Sequence, residues 1–278
     1  MSTPSFGARL RDAMDARGPL CAGIDPHPAL MDQWGLTDSV FGLEKFAMTA
    51  VEAVGSTAAV IKPQSAFFER HGSKGIAVLE QVIAAARGMG ALVVLDVKRG
   101  DIGSTAQAYA DAYLDQSSPL AVDAITASPF LGFGSLDPMI DTALANDAGI
   151  FVLALTSNPE GAQVQHASTT DGRTVAGVIL DAIATRNVDA KTLGSIGAVV
   201  GATIGETTEE LDIKGPLLVP GLGAQGGTAA DVRRIFGPAI GNVLPSSSRE
   251  ILEAGPDKAS LRAVAERLAG AFVALGTT

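Results

Sequence analysis

The chain has 278 residues, of which 47% are hydrophobic and 18% charged, so its composition is that of a globular protein and not of a disordered one. Its formal net charge of −10 at pH 7 has the wrong sign for non-specific binding to nucleic acid, and we expect no nucleic-acid partner. An anionic small ligand stays compatible with this charge, because a few local cations and backbone amides can override it.

The cysteine content and the lengths of the apolar runs indicate the cellular compartment in which the protein is found. The single cysteine, Cys21, cannot form a disulfide within the chain, which favours a reducing compartment and a buried, apolar role for the thiol. The opening stretch MSTPSFGARLRDAMDARG is amphipathic and lacks the apolar core of a signal peptide. No apolar run approaches the roughly 18 residues of a membrane span. We therefore predict a soluble, cytoplasmic protein with no membrane partner.

Short apolar runs rich in β-branched residues alternate with helix-like stretches along the chain. The predicted strands are 20–25, 58–62, 91–97, 121–126, 149–155, 196–201, 216–220 and 240–245. The predicted helices are 38–55, 74–89, 104–116, 135–147, 175–188, 206–213, 228–236 and 257–275. Ser135 and Thr228 are the expected N-caps of two of them. Several strands are near-continuous apolar runs, as in parallel sheets that are covered on both faces.

Eight strands, each followed by a helix, within about 250 residues fit an α/β fold of the (β/α)₈ TIM barrel type. A doubly wound open sheet is the alternative, because strand order cannot be read from one sequence. No composition break or linker divides the chain, so we predict a single domain over residues 1–278. The longest loop-like stretch, 157–174, follows the fifth strand, and we expect it to be a lid or binding loop.

The third predicted strand ends in a dense group of charges within LDVKRGDIGSTA. Asp96 and Lys98 are two residues apart and share one face of the strand, whereas Arg99 is expected to point away. Asp101 lies past the strand end, and Lys62 ends the neighbouring second strand. The group is either a salt-bridged strand end or part of a reaction site. In the second case the four charges other than Arg99 form an alternating array that shifts protonation states.

Other predicted strands also end in polar residues, which would gather at one face of a barrel. Asp25 follows the first strand and Ser157 the fifth. The segments after strands seven and eight, where barrels commonly bind phosphate, read VPGLGAQGG and PSSSREIL. Gln225 offers a side-chain amide, while Ser248 and Arg249 offer a backbone amide and a guanidinium that can hold phosphate through two parallel hydrogen bonds. We expect a phosphate site here.

Metal and dinucleotide sites are not indicated by the sequence. The three histidines, His27, His71 and His166, show no ligand spacing, and no Cys or carboxylate cluster suggests zinc. GLGAQG matches G-x-G-x-x-G but falls late in the chain, and no Walker lysine follows it. We therefore predict neither metal nor cofactor.

The stretch D-x-K-R-G-D-I-G-S-T at 96–105 resembles the signature of the orotidine 5′-phosphate decarboxylase family, and its longer bacterial branch in particular. The segments GIDP, KPQSAFFE, LTSNPEG, VPGLGAQGG and LPSSSR are also similar to segments of that family. The resemblance implies decarboxylation of orotidine 5′-monophosphate to uridine 5′-monophosphate in de novo pyrimidine biosynthesis. It also implies a homodimeric barrel that needs no metal or cofactor and has two sites at the subunit interface.

The resemblance further implies roles for single residues. Lys98 would be the proton donor, with Asp96 and Lys62 beside it. The residues implied to serve the partner subunit's site are Asp101, Ile102 and Thr105. The implied substrate contacts are the ribose hydroxyls for Asp25, the pyrimidine for Ser157, and the phosphate for Gln225 and Arg249.

Two other functions stay open on the sequence. Magnesium-dependent sugar-phosphate decarboxylases and synthases of the same superfamily share the D-x-K-x-x-D core. In that branch the second strand ends in a carboxylate that helps to hold magnesium, whereas this one ends in Lys62, which favours the orotidylate branch. A non-catalytic protein that binds a phosphoribosyl ligand is the other alternative, but such a protein does not require the charged array.

Overall fold

The computed structural model describes residues 3–222 and 228–276, and its eight strands form one closed parallel barrel in the order β1 to β8. The strands are β1 (Cys21–Ile24), β2 (Val60–Pro63), β3 (Leu92–Arg99), β4 (Ala124–Ala127), β5 (Gly149–Leu155), β6 (Ile196–Val200), β7 (Leu217–Pro220) and β8 (Val243–Ser247). The ring closes where Cys21 and Ala22 of β1 pair with Ser246 and Ser247 of β8. The predicted TIM barrel is confirmed, and the open-sheet alternative is excluded.

Helices surround the barrel. Those in the described chain are α1 (Phe6–Arg17), α2 (Pro28–Gln33), α3 (Val40–Val54), α4 (Ser65–Glu69), α5 (Gly72–Gly88), α6 (Gly103–Leu114), α7 (Asp137–Ala145), α8 (Ala162–Gln165), α9 (Val175–Arg186), α10 (Ala229–Phe236), α11 (Arg249–Leu252) and α12 (Lys258–Val273). Seven of the eight predicted helices have a counterpart among them. None of the helices described is both long enough and apolar enough to cross a membrane.

The helix predicted at 206–213 is wrong, because the structure describes all of residues 201–216, between β6 and β7, and they form no helix. The Thr207 hydroxyl accepts a hydrogen bond from the Glu209 amide at 3.1 Å, and the Glu210 carboxylate accepts one from the Asp212 amide at 2.9 Å. Such local side-chain bonds offer the backbone an alternative to helical hydrogen bonding. The polar residues that gave this stretch its helix-like composition therefore stabilise turns.

The two predicted N-caps have different outcomes. Thr228 caps α10 in a capping box, in which its hydroxyl accepts from the Asp231 amide at 3.1 Å and the Asp231 carboxylate accepts from the Thr228 amide at 3.0 Å. Ser135 is not a cap, because it lies in the 3₁₀ turn Phe133–Leu136 and α7 begins at Asp137. Its hydroxyl donates to a backbone carbonyl three residues earlier and so stabilises the turn instead.

The amphipathic N-terminal stretch forms α1, which closes the barrel at the amino ends of the strands. Phe6, Leu10 and Met14 of α1 belong to the same buried cluster as the inward-facing strand residues. The rings of Phe6 and Phe151 meet edge to face with their centroids 6.0 Å apart. Cys21 is fully buried in this cluster, and burial raises the pKa of its thiol to about 12, so it is a neutral packing residue, as expected. The polar strand ends lie at the opposite mouth of the barrel.

Candidate active site

A cavity of about 410 Å³ opens at the carboxyl ends of the strands, where barrel enzymes place their active sites. Its volume lies in the usual range for a small-molecule site. The wall combines a charged end, an apolar floor and a polar rim. The charged end consists of Asp25, Lys62, Asp96 and Lys98. The apolar floor consists of Leu153, Val199 and Leu218. The polar rim consists of Thr156, Ser157, Asn158, Ser246, Ser247, Ser248 and Arg249.

The charged end is built on an irregular part of β3. From Leu95 to Arg99 the chain takes four steps along β3, whereas the paired stretch of β4, from Ile125 to Ala127, takes two. This is a β-bulge, a feature that re-aims side chains and is common beside active sites. Within it, Lys98 has a φ of +44°, which is the left-handed region that residues other than glycine seldom adopt. The strand is thus distorted at the residue whose amine faces the cavity.

Asp96 is the centre of this end of the cavity. Its Oδ1 accepts hydrogen bonds from Lys98 Nζ at 2.6 Å and from Thr126 Oγ1 at 2.8 Å. Its Oδ2 accepts from Lys62 Nζ at 3.1 Å and from Gln64 Nε2 at 3.0 Å. A carboxylate has about four acceptor positions, so those of Asp96 are all occupied by the protein. We conclude that Asp96 holds the two amines in place.

The charges fix the protonation states of the array. Burial by itself raises the pKa of Asp96, but Lys62, Lys98 and the hydrogen bonds outweigh burial and hold that pKa well below its usual range. Burial likewise tends to lower the pKa of Lys62, but the carboxylates of Asp96 and Asp25 outweigh it, and the pKa lies above its usual value. At neutral pH Asp96 is therefore a carboxylate and Lys62 an ammonium group, and the two form a buried ion pair.

The two lysines differ in their access to the cavity. The Lys62 side chain is 9% exposed, whereas the Lys98 side chain is 47% exposed. Lys62 is thus a buried counter-ion of Asp96, and Lys98 is the lysine whose side chain is open to the cavity.

Asp25 follows β1 and lines the same cavity. Its Oδ1 is buried and has no hydrogen-bond partner among the described residues. A buried carboxylate oxygen without a partner calls for an explanation, since such atoms are normally hydrogen-bonded. A ligand hydroxyl that donates to Asp25 would satisfy it.

The rim depends on two glycines that allow neighbouring strands to approach. A Cβ atom added to Gly23 would lie 2.6 Å from the Cβ of Ser248, and one added to Gly201 would lie 2.0 Å from the Oγ of Ser157. Glycine at these two positions therefore lets Ser248 and Ser157 take their places on the cavity wall. Arg249, the first residue of α11, lies beside Ser248 on this wall.

Some of the predicted site residues are not brought into the cavity of their own chain. Asp101 lies on the surface after β3, where its Oδ1 accepts a hydrogen bond from the Ile102 amide at 2.8 Å. Ile102 is 62% exposed, and Thr105 is also exposed. None of the three is part of the described cavity wall. Gln225, predicted to hold phosphate, lies outside the described residues.

Arg99 points away from the cavity, as expected from its alternation with Lys98. Its guanidinium donates to the Glu69 carboxylate at 2.5 Å and to the Tyr113 hydroxyl at 3.3 Å. It also lies over the Tyr109 ring, with Cζ 5.5 Å from the ring centroid. The ion pair joins β3 to α4, and the tyrosine contacts join it to α6.

Two site residues were missed from the sequence, Gln64 and Thr126. Gln64 is two residues after Lys62, a spacing that places both on one side of an extended chain, and both reach Asp96. Thr126 was the last residue of the predicted fourth strand, at the same face as the other polar strand ends. Strand position therefore signalled both residues, but neither carries a charge.

A closed parallel barrel with a charged cavity at the carboxyl ends of its strands defines the class of the (β/α)₈ barrel enzymes. The model of the orotidine 5′-phosphate decarboxylase / HUMPS family matches residues 18–264. The chain belongs to this family.

Individual relatives narrow the comparison. A protein of Salinispora arenicola named orotidine 5′-phosphate decarboxylase is 64% identical over 265 residues, which are 95% of each chain. One of the same name from a Nocardioides species is 65% identical over 250 residues, 89% of this chain and 91% of that one. The crystal structure of a Streptomyces avermitilis protein matches with a TM-score of 0.98 and 57% identity, covering 100% of this chain and 98% of that one. These matches confirm the predicted family and the predicted decarboxylase class.

Proposed function

We propose that this barrel decarboxylates orotidine 5′-monophosphate to uridine 5′-monophosphate and CO₂, as a cytoplasmic step of de novo pyrimidine biosynthesis. The observation that carries the proposal is the ordered array in which Asp96 holds the amines of Lys62 and Lys98 at the cavity. The barrel acts as one domain and uses neither metal nor organic cofactor. The family matches at 64% and 65% identity support the same substrate.

The reaction explains why such an array is needed. When CO₂ leaves, the electron pair of the broken bond stays on C6 in the plane of the pyrimidine ring, where the ring π system cannot absorb it. Stabilisation must then come from a fixed positive charge next to C6. The Lys98 ammonium, anchored by Asp96 at 2.6 Å and half exposed to the cavity, supplies this charge. It then gives its proton to C6, which completes the product, and regains a proton from water.

Asp96 has two roles in this proposal. Its four hydrogen bonds fix the amines before the substrate arrives, so that little reorganisation is needed during the reaction. Its negative charge beside the substrate carboxylate also disfavours the bound substrate more than the transition state, in which the substrate carboxylate is becoming neutral CO₂.

The rest of the cavity binds the nucleotide. The free carboxylate oxygen of Asp25 accepts from the ribose hydroxyls, and Ser157 contacts the pyrimidine above the apolar floor. Ser248 and Arg249, with Gln225, hold the phosphate. The phosphate is remote from C6 and takes no part in the bond changes. The free energy gained by binding it is therefore available to drive closure of the loop at 157–174 over the charged array.

The proposed enzyme is a homodimer with shared sites. Asp101, Ile102 and Thr105 serve the partner subunit's cavity, which agrees with the exposure of Ile102 and Thr105 and the partial exposure of Asp101 outside the cavity of their own chain. Apolar residues are exposed on the same side of the barrel, after β4, where Phe130 is 75% and Leu131 55% exposed. Neighbouring exposed apolar residues of this kind favour a protein interface.

An ultraviolet assay tests the proposed activity. Orotidine 5′-monophosphate is incubated with the purified protein, with and without EDTA, and the loss of orotidylate absorbance is followed. We expect equal turnover in both conditions. Loss of turnover in EDTA that magnesium restores would favour the metal-dependent branch. Binding of uridine 5′-monophosphate without any turnover would favour the non-catalytic alternative.

A further inference from the structure

Thr126 lies at the end of β4, is 1% exposed and forms part of the cavity wall. Its hydroxyl makes two hydrogen bonds, both to the catalytic segment of β3. It accepts one from the Lys98 backbone amide at 2.9 Å and donates one to Asp96 Oδ1 at 2.8 Å. One small group thus contacts both the backbone of Lys98 and the carboxylate that anchors the Lys98 amine.

The β3 bulge gives this contact its importance. Lys98 lies within the bulge and in a left-handed backbone conformation, and the acceptor for its amide is the Thr126 hydroxyl. A strained conformation of this kind persists only where the surroundings hold it in place. A hydroxyl can do so because it accepts one hydrogen bond while donating another, which an aliphatic side chain of the same shape cannot do.

The Lys98 amine has little else to fix its position. Asp96 is its only hydrogen-bond partner among the described residues, and its side chain is 47% exposed. Two contacts therefore set the position of the ammonium: the Lys98 backbone, from which the side chain starts, and the Asp96 carboxylate, to which the amine is hydrogen-bonded. The Thr126 hydroxyl bonds to both.

We propose that Thr126 is a positioning residue for the decarboxylation: it fixes the position of the Lys98 ammonium relative to the reacting carbon. The inference rests on the proposed role of Lys98 as proton donor. Thr126 does not need to touch the substrate, because it acts through Asp96 and through the Lys98 backbone.

The test compares Thr126→Val, which keeps the shape and removes the hydroxyl, with Thr126→Ser, which keeps the hydroxyl. For Thr126→Val we expect kcat to fall roughly 10–100-fold, as is usual when a group that orients a reactive residue is lost, with KM changed far less. Thr126→Ser should recover most of kcat. Thr126→Ala is the second variant if valine prevents folding. Thr49→Val is the matched control, because it removes a buried hydroxyl on α3 that does not line the cavity.

A second readout separates positioning from packing. Exchange of the C6 hydrogen of uridine 5′-monophosphate in D₂O reports proton transfer at C6 without carboxylate loss. We expect Thr126→Val to slow this exchange while its affinity for the nucleotide is retained. Normal kcat in folded Thr126→Val and Thr126→Ala would overturn the inference, as would equal loss in Thr126→Ser and Thr126→Val. Near-normal turnover by Lys98→Ala would instead overturn the proposed role of Lys98.

Discussion

Lys98 Nζ lies 2.6 Å from Asp96 Oδ1, yet the two side chains differ sharply in burial, at 47% and 10% exposed. The Asp96 carboxylate accepts hydrogen bonds from three further donors inside the barrel. The Lys98 ammonium makes one hydrogen bond among the described residues, to Asp96, and faces the cavity. A proton donor needs both properties, a defined position and access to the substrate. The pair differs in this way from a surface ion pair, in which both partners are solvated.

The Asp96 carboxylate is also important for stability, because it is the counter-ion of buried Lys62. We expect Asp96→Asn to lower the free energy of unfolding by roughly 3 kcal/mol, since removing one partner leaves a buried charge uncompensated. Urea unfolding at pH 7 measures this value. Asp38→Asn is the matched control, because Asp38 pairs with Arg70 at the surface and its loss should lower stability much less. Equal effects of the two substitutions would contradict the buried pair.

The same pair predicts a pH dependence. The pKa of Asp96 is lowered on folding, so its contribution is present in full above the unfolded value of about 3.9 and is lost as the pH falls through the lower folded value. The difference in unfolding free energy between wild type and Asp96→Asn should therefore stay constant from about pH 5 to about pH 8 and shrink below about pH 4. A difference that stays constant down to about pH 3, or that grows as the pH falls from about 7 to about 5, would show that the pKa of Asp96 is not lowered on folding.

Arg99 is next to Lys98 in sequence but has a structural role, which Arg99→Met tests. Loss of the Glu69 ion pair and the tyrosine contacts should lower the free energy of unfolding by about 1–2 kcal/mol, discounted because the Arg99 side chain is 27% exposed. We expect kcat to stay near that of wild type. Arg234→Met is the control: it removes a half-exposed arginine and its two ion pairs, with Glu206 and Asp231, and should change stability less. A loss of kcat as large as that of a Lys98 substitution would contradict this assignment.

Subunit mixing tests the role of Asp101 in the partner subunit's site. Asp101→Ala and Lys98→Ala chains should each be nearly inactive alone. After subunit exchange, half of the dimers are mixed and each has one intact site, so we expect about one quarter of wild-type activity. Native mass spectrometry confirms the exchange. Mixed dimers without activity would place Asp101 in its own chain's site, and an active Asp101→Ala homodimer would place it outside both.

Most of the fold could be predicted from the alternation of apolar strands and amphipathic helices, but whether one short polar segment forms a helix or turns could not. The predicted helix at 206–213 failed because side-chain hydrogen bonds within the segment favour turns, which composition does not reveal. Barrel closure was an expectation based on the count of strands. The pairing of β8 with β1 is a long-range contact that no local pattern encodes.

The charged residues of the site could be predicted because strand ends meet at one face of a barrel. The two-residue spacing placed Asp96 and Lys98 together and turned Arg99 away, as the structure shows. The importance of Thr126 could not be predicted from strand position in the same way. A single threonine at a strand end is common, and its importance comes from the bulge in the neighbouring strand.

Decarboxylation by Lys98→Ala is the measurement that tests the central claim most directly. Turnover of orotidine 5′-monophosphate is followed by ultraviolet absorbance, with Lys45→Ala, an exposed lysine of α3, as the matched control. Lys98→Ala should be folded, should still bind uridine 5′-monophosphate, and should have almost no activity, while Lys45→Ala should equal wild type. Near-normal turnover by folded Lys98→Ala would contradict the claim that this ammonium stabilises and protonates the reacting carbon.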